Sequence, residues 1–227
     1  YKRQDVDITQ ALAAMRNAAY AGHLDPKHLH TLTRELFTDR LAGSNIANLG
    51  HYKSAFEPAM KQRGYPGVYL ILDGNDFKSI NDNLGYNNGD EAIRRMGHAM
   101  RTIADKLGHS NFYVARRGGD EFFVWAKSAA HGAEFLRHLR THLENSLPLG
   151  GGDKPLHQLS MSAGMGHNPE GAGRALQFAK KRKYEQNYIK GRAQQHSAYE
   201  DPLGQMHEPE VQNPLATPVH MKSFGTV

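Results

Sequence analysis

Apolar residues recur along this chain with more than one period, and the change of period divides it. Near the N-terminus Ile8, Leu12, Met15 and Ala19 keep helical spacing after Asp5 and Asp7, and Leu29, Leu32, Leu36 and Phe37 do so after Asp25-Pro26. Two amphipathic helices are predicted there, with residues 22–25 between them. From Gly43 onward helix and strand patterns alternate. Tyr52, Phe56 and Met60 predict a helix that stops at Gly64, and the unbroken apolar run 68–72 predicts a buried strand ending at Asp73. A loop over 74–88 follows. A helix then starts at about Gly89, with Ile93, Met96, Met100, Ile103 and Leu107 on one face. Residues 112–115 and 122–125 are short strands joined by a turn over 116–121, which makes a hairpin. Residues 133–147 predict a helix, 156–165 a strand and 173–188 a last helix. After Ala198, Pro202, Pro209, Pro214 and Pro218 recur with few large apolar residues between them, as in an extended tail.

The order strand, helix, hairpin, helix, strand, helix predicts an α+β fold: an antiparallel-rich sheet of the palm or ferredoxin-like type, flanked by helices that lie on one face. Three parts follow: a helical segment over 1–38, a main domain over 39–198 and the tail over 199–227. A chain of 227 residues has the material for one good-sized core. The helices in front of it suit dimerisation, relay of a signal or simple packing on that core.

Composition narrows the functional class only slightly. The hydrophobic fraction of 39% and charged fraction of 22% are those of an ordinary water-soluble domain, and no apolar run is long enough to span a bilayer. The absence of cysteine excludes disulfides and thiolate metal sites, and a cytoplasmic setting is expected. A formal charge of +5 favours anionic ligands. No basic strip is interleaved with aromatic residues, so nucleic acid is not expected as a partner. The basic run Lys180-Lys181-Arg182-Lys183 reads as the solvated face of a helix.

Two acidic elements carry the chemistry. Asp73 stands where the buried strand ends, followed by Gly74, and Asp120 and Glu121 stand on the glycine turn Gly118-Gly119-Asp120-Glu121-Phe122 of the hairpin. If these strands pair, the carboxylates converge. Hard divalent ions such as Mg²⁺ take oxygen ligands and are held by one or two carboxylates together with substrate phosphates. The Gly74 carbonyl is a further candidate ligand, and the glycines let a phosphate approach the backbone. Phosphoryl or nucleotidyl transfer is the chemistry implied. Asp90 opens a helix, either as a stabilising first-turn acid or as a ligand group, and Asn81 either reads a base edge or makes a turn.

Read together, the stretch from Leu72-Asp73-Gly74-Asn75-Asp76-Phe77-Lys78 through Ile80-Asn81-Asp82 to Gly89-Asp90, and Arg116-Arg117-Gly118-Gly119-Asp120-Glu121-Phe122, resemble the signature of GGDEF-domain diguanylate cyclases. The family pattern D-x-D-x-F-K-x-I-N-D-x-x-G-H-x-x-G-D is nearly complete and in order. Leu159-Ser160-Met161-Ser162-Ala163-Gly164 resembles that family's S-x-G strand, and residues 179–184 with Lys190-Gly191-Arg192 resemble its terminal helix and G-R element. The resemblance covers residues 39–197. It implies condensation of two GTP into cyclic di-GMP, by attack of a 3′-hydroxyl on an α-phosphate across a homodimer of half-sites. It further implies that Asp73, Asp120 and the Gly74 carbonyl hold Mg²⁺, with Mn²⁺ as the alternative ion. Asp120 or Glu121 would help deprotonate the hydroxyl, Asn81 and Asp90 would recognise guanine, and Lys78, Arg94 and Arg192 would contact the triphosphate.

The chain departs from the family pattern at several points. Asn75 replaces the second acid of D-x-D and Tyr86 replaces the histidine of G-H. The opening D-x-L-T-G-L-x-N-R survives only as Asp39-Arg40-Leu41-Ala42-Gly43-Ser44, with Asn48 displaced. The spacing from Tyr184 to Gly191 is one residue long, so Asn187 or Tyr188 stands where a phosphate-binding lysine is expected, with Lys190 as its replacement. His109-Ser110-Asn111-Phe112 occupies the place of the inhibitory R-x-x-D product site, so no feedback inhibition through that site is expected. The alternatives are a catalytically silent module that binds GTP or a protein partner, and a palm-type polymerase or cyclase with a different product.

Overall fold

Strand β3 (Val68–Gly74) lies at the middle of the sheet, and its neighbours explain why it reads as a continuous apolar run. In the computed structural model, residues 35–190, 197–200 and 203–207 are described, together with isolated positions between 14 and 27. Most of the predicted N-terminal helices, Arg192 and most of the predicted tail lie outside the described residues. β3 pairs antiparallel with β5 (Glu121–Ala126) on one side and with β8 (Met161–Gly166) on the other. Successive side chains of a strand point to opposite faces. Leu70 and Leu72 therefore enter one layer of core, and Tyr69 and Ile71 enter another. Both faces being covered, no polar alternation is visible in the sequence.

Among the described residues this sheet has eight strands, in the order β1-β2-β4-β5-β3-β8-β9-β10. β1 is Thr38–Asp39, β2 is Gly43–Ala47 and β4 is Phe112–Gly118. β9 (Ser197–Glu200) joins β8 in parallel and β10 (Met206–His207) closes that edge, so extended chain after Ala198 takes part in the sheet. The centre is antiparallel, as expected.

Helices cover both faces rather than the one face expected. The composite helix α1 runs through Leu49–His51, a π-helical turn Tyr52–Phe56, and Glu57–Gln62. Its Tyr52 and Met60 pack on the Tyr69, Ile71 and Phe123 face, beside Ala172 and Leu176 of α5 (Pro169–Lys190). On the other face, α3 (Tyr86–Lys106) buries Ile93, Met96, Met100 and Ile103, and α4 (Ala129–Glu144) buries Phe135, Leu139 and Leu143. Gly164 explains the close seat of α5. A Cβ there would lie 2.1 Å from the Leu176 nitrogen and 2.2 Å from the Ala172 carbonyl oxygen, so helix backbone touches strand backbone.

Two local expectations are corrected. The segment 74–88, expected as a loop, contains the helix α2 (Phe77–Leu84), because Ile80 and Leu84 bury one side of it. The strand expected over 156–165 is broken in two. β7 (Lys154–His157) pairs only with β6 (Leu149–Gly151) in a separate hairpin, and Gln158 then donates to the Leu143 and Ser146 carbonyls near the end of α4 before β8 begins. Among the described residues no helix is long and apolar enough to cross a membrane.

Candidate active site

The site begins where β3 runs out. The buried Asn75 side chain accepts a hydrogen bond from the Ser162 hydroxyl at 2.7 Å and donates one to the Ser160 hydroxyl at 2.9 Å, while its backbone N–H donates to the Ser160 carbonyl. An amide supplies both the donor and the acceptor that this pair of bonds uses. Position 75, which departs from the family's acidic pattern, thus braces the strand end against β8. Asp76 next takes a left-handed conformation, φ 56° and ψ 26°, which a short polar side chain tolerates. The chain turns there into α2, whose first turn has no side-chain cap. Phe77, Lys78 and Ser79 line a cleft, so the uncapped amides at this helix start are available to an anion.

The hairpin supplies the second half. Gly118 and Gly119 both have positive φ, at 143° and 53°, in an irregular turn that presents Asp120. Arg116 holds the turn's shape: its Nε donates to the Gly119 carbonyl at 2.8 Å, and its Nη1 bridges both Asp39 oxygens at 3.2 and 3.1 Å. Asp39 also accepts from the Leu41 and Ala42 amides.

Strand register then brings the acids together. Asp73 lies directly opposite Glu121, and the Gly74 N–H donates to the Asp120 carbonyl at 3.2 Å. Directly opposed residues carry their side chains to one face, so Glu121 stands beside Asp73, with Arg117 at 4.0 Å. Asp120 packs over Gly74, where a Cβ would come 3.1 Å from its Oδ2. Burial, and then the Asp73 charge, push the Asp120 carboxyl above the usual carboxylate range, with Lys180 partly offsetting them. Lys180, from α5, puts its Nζ 2.8 Å from Asp73 Oδ2.

Asp73, Gly74, Lys78, Asn81, Asp120 and Lys180 all line the one cleft, of about 910 Å³. Asn81 is positioned by α3: a Cβ on Gly89 would lie 2.0 Å from its Oδ1, so the amide is pressed against the first turn of that helix. Asp90, the next residue, is exposed. Glu121, Asp90 and Arg94 are not among the residues lining the cleft, and Arg94 instead pairs with Glu91 at 3.0 Å along α3. Arg192 lies outside the described residues.

A family model described as "Diguanylate cyclase, GGDEF domain" matches residues 38–188, which is more than half of the chain. The chain belongs to the GGDEF family. Among curated relatives, this GGDEF domain is similar to diguanylate cyclase DosC of Shigella sonnei (strain Ss046), 36% identical over 120 residues, covering 51% of this chain and 25% of the relative. It is also similar to diguanylate cyclase TpbB of Pseudomonas aeruginosa (strain UCBPP-PA14), 41% identical over 88 residues, covering 39% of this chain and 19% of the relative. The chain thus spans about a quarter or less of the length of these relatives. Two solved structures share the fold. One is the coiled coil and GGDEF domain of DgcB from Caulobacter crescentus in complex with c-di-GMP, with TM-score 0.54, 20% identity, and 84% and 99% of the two chains covered. The other is diguanylate cyclase SiaD with its activator SiaC from Pseudomonas aeruginosa, with TM-score 0.55, 19% identity, and 77% and 70% covered.

Sequence reasoning missed one cation of this GGDEF site. It looked for a phosphate-facing lysine around Asn187, Tyr188 and Lys190, whose side chains lie outside the described residues. A second ammonium in the cleft, besides that of Lys78, belongs to Lys180, a member of the run that the sequence presents as a solvated face. Its signal was present: Ala172, Leu176 and Lys180 are four residues apart, on the face of α5 that packs on the sheet. The donor set also fits a hard divalent ion. Two half-buried carboxylates beside a strand-end carbonyl are oxygen ligands of the right kind. Among the described residues no cluster of three or more His, Cys, Asp or Glu is gathered, so water and substrate oxygens would complete the shell.

Proposed function

We propose that this GGDEF domain is a diguanylate cyclase that condenses two GTP into cyclic di-GMP with release of two pyrophosphates. One observation carries the reading: Asp73 and Asp120 meet at one wall of the cleft that the start of α2 also lines. Asp73, Asp120 and the Gly74 carbonyl would hold Mg²⁺, or Mn²⁺ in its place. When bound, the ion polarises the phosphoryl group and lowers the pKa of the attacking hydroxyl.

The remaining work falls to the chain itself. The α2 amides, Lys78 and Lys180 bind phosphate oxygens, and Arg94 and Arg192 join them, Arg94 by leaving Glu91. Asn81, whose amide can donate and accept, and Asp90, whose carboxylate accepts, face the guanine edge. Asp90 favours GTP over ATP, because a carboxylate matches guanine's ring and amino N–H groups and finds no such pair on adenine. Glu121 or Asp120 takes the proton of the 3′-hydroxyl. The oxygen so freed bonds to the α-phosphorus of the second nucleotide while the bond to its β-phosphate breaks. Each half-site holds one GTP, so two domains must face each other and a homodimer is the working unit. We assign it to the cytoplasm, where GTP is available.

The test is incubation of the purified chain with GTP and Mg²⁺, with products resolved by mass, beside Asp73→Ala. Cyclic di-GMP from the wild type and none from the variant is the expected result. The engagement of Arg94 with Glu91 favours a second reading, a silent module that binds GTP. Tight GTP binding with no cyclic product across a range of protein concentrations would replace the first reading by the second.

A further inference from the structure

Lys180 is the cation in contact with Asp73, and the geometry around it is specific. The Nζ to Oδ2 distance is 2.8 Å, with the lysine side chain 29% and the aspartate 16% exposed. A pair so shielded is screened less than a surface ion pair. The helix that carries Lys180 has no room to approach β8 further, since Gly164 already brings the two backbones into contact. Any change in the ammonium's partner therefore comes from rotation of its own four-carbon stem, which a lysine side chain readily allows. Phosphate would find the ammonium within the same cleft, because Lys78 and Ser79 at the start of α2 share that cleft with Lys180.

We propose that Lys180 is a resident counter-cation for Asp73, which a bare divalent ion must displace and which an arriving triphosphate draws away. The idea rests on the reading of this cleft as a metal and GTP site. Its consequence is an order of preference. A divalent ion alone competes with an ammonium for one Asp73 oxygen and binds weakly. A triphosphate alone must pull Lys180 from Asp73 and leave that carboxylate uncompensated. Together they exchange partners: the ion takes Asp73 and the ammonium takes phosphate. Metal and nucleotide thus favour each other through one side chain, and that coupling is reciprocal. Lys180 is in this sense a positioning residue for the metal as well as a phosphate contact.

The test is Lys180→Gln in the whole chain, read by binding alone. Mn²⁺ is titrated without nucleotide, following the electron paramagnetic resonance signal of the free ion, and GTP is titrated calorimetrically in EDTA. Loss of one charge-assisted contact predicts shifts of about tenfold: Mn²⁺ tighter and GTP weaker in the variant. Lys180→Met gives the same two signs, and the thermal midpoint checks that both variants fold. Opposite shifts from one substitution are what a merely structural lysine would not produce. Mn²⁺ affinity unchanged or reduced in both variants overturns the inference while leaving the metal and GTP reading intact. A wild-type chain that binds neither Mn²⁺ nor GTP overturns both.

Discussion

Gly89→Ala separates base recognition from stability, because it weakens the first while leaving the second nearly unchanged. A Cβ at residue 89 would stand 2.0 Å from Asn81 Oδ1, and ordinary contact begins at 3.4 Å, so the Asn81 side chain must retreat by about 1.4 Å. The obstacle is the end of a side chain and not backbone, so the fold accommodates it. Moving Asn81 off its preferred rotamer costs about 0.5–1.5 kcal/mol. Alanine in place of glycine within a helix returns up to about 1 kcal/mol. The thermal midpoint should therefore stay within a few degrees of wild type. The base contact does not recover in the same way, since a hydrogen-bonding atom displaced by more than 1 Å leaves its partner unmatched. That loss is worth about 1–2 kcal/mol, or roughly a five- to thirtyfold rise in the Kd for GTP. Calorimetric titration with GTP and with inorganic tripolyphosphate reads the difference, since the second ligand has no base and should bind the variant unchanged. A Gly89→Ala chain that binds GTP within twofold of wild type would refute the placement of guanine against Asn81.

Two other substitutions test the frame around the cleft. Gly164→Ala drives a methyl group into the backbone of α5, where nothing can rotate aside. Overpacking of this kind costs about 3 kcal/mol, a fall of roughly 6–12 °C in the midpoint by circular dichroism, and a loss under 2 °C would contradict the contact. His51 gives a pH signature. Burial holds its imidazole below the ordinary value of 6.5, with Nδ1 2.8 Å from the Tyr113 hydroxyl. The unfolded chain then binds the proton more readily, so stability present above about pH 6.5 is lost as pH falls through the folded value. Midpoints measured from pH 7 down to 5 should fall less for His51→Gln than for wild type, and parallel profiles would exclude the assignment.

The parts of the fold legible in the sequence were those where one period dominates. The central strand and the hairpin were visible because their apolar runs are short, dense and bounded by glycine or acid, and Asp73 could be placed at a strand end from that boundary alone. Helix α2 was hidden because its apolar positions, Phe77, Ile80 and Leu84, are spread among Ser, Asn and Asp, residues that compete for backbone hydrogen bonds and favour turns. The break before β8 was hidden for a related reason: Gln158 leaves the strand direction to satisfy carbonyls at the end of α4, a partner far away in sequence. Lys180 could not be told from Lys181 by charge, and only the packing of α5 on β8 distinguishes them.

The clasp of Arg116 between Asp39 and the Gly119 carbonyl links the edge of the sheet to the hairpin turn. Both side chains of the pair are mostly shielded, 14% and 15% exposed, so removing one strands the other's charge in a poorly hydrated place. Asp39 belongs to the short strand β1 at the outer edge of the sheet, yet through a single guanidinium it braces the turn that presents Asp120. The edge of the fold and the hairpin that carries Asp120 are therefore tied crosswise by one charge, and a substitution at Asp39 perturbs that turn although Asp39 does not line the cleft.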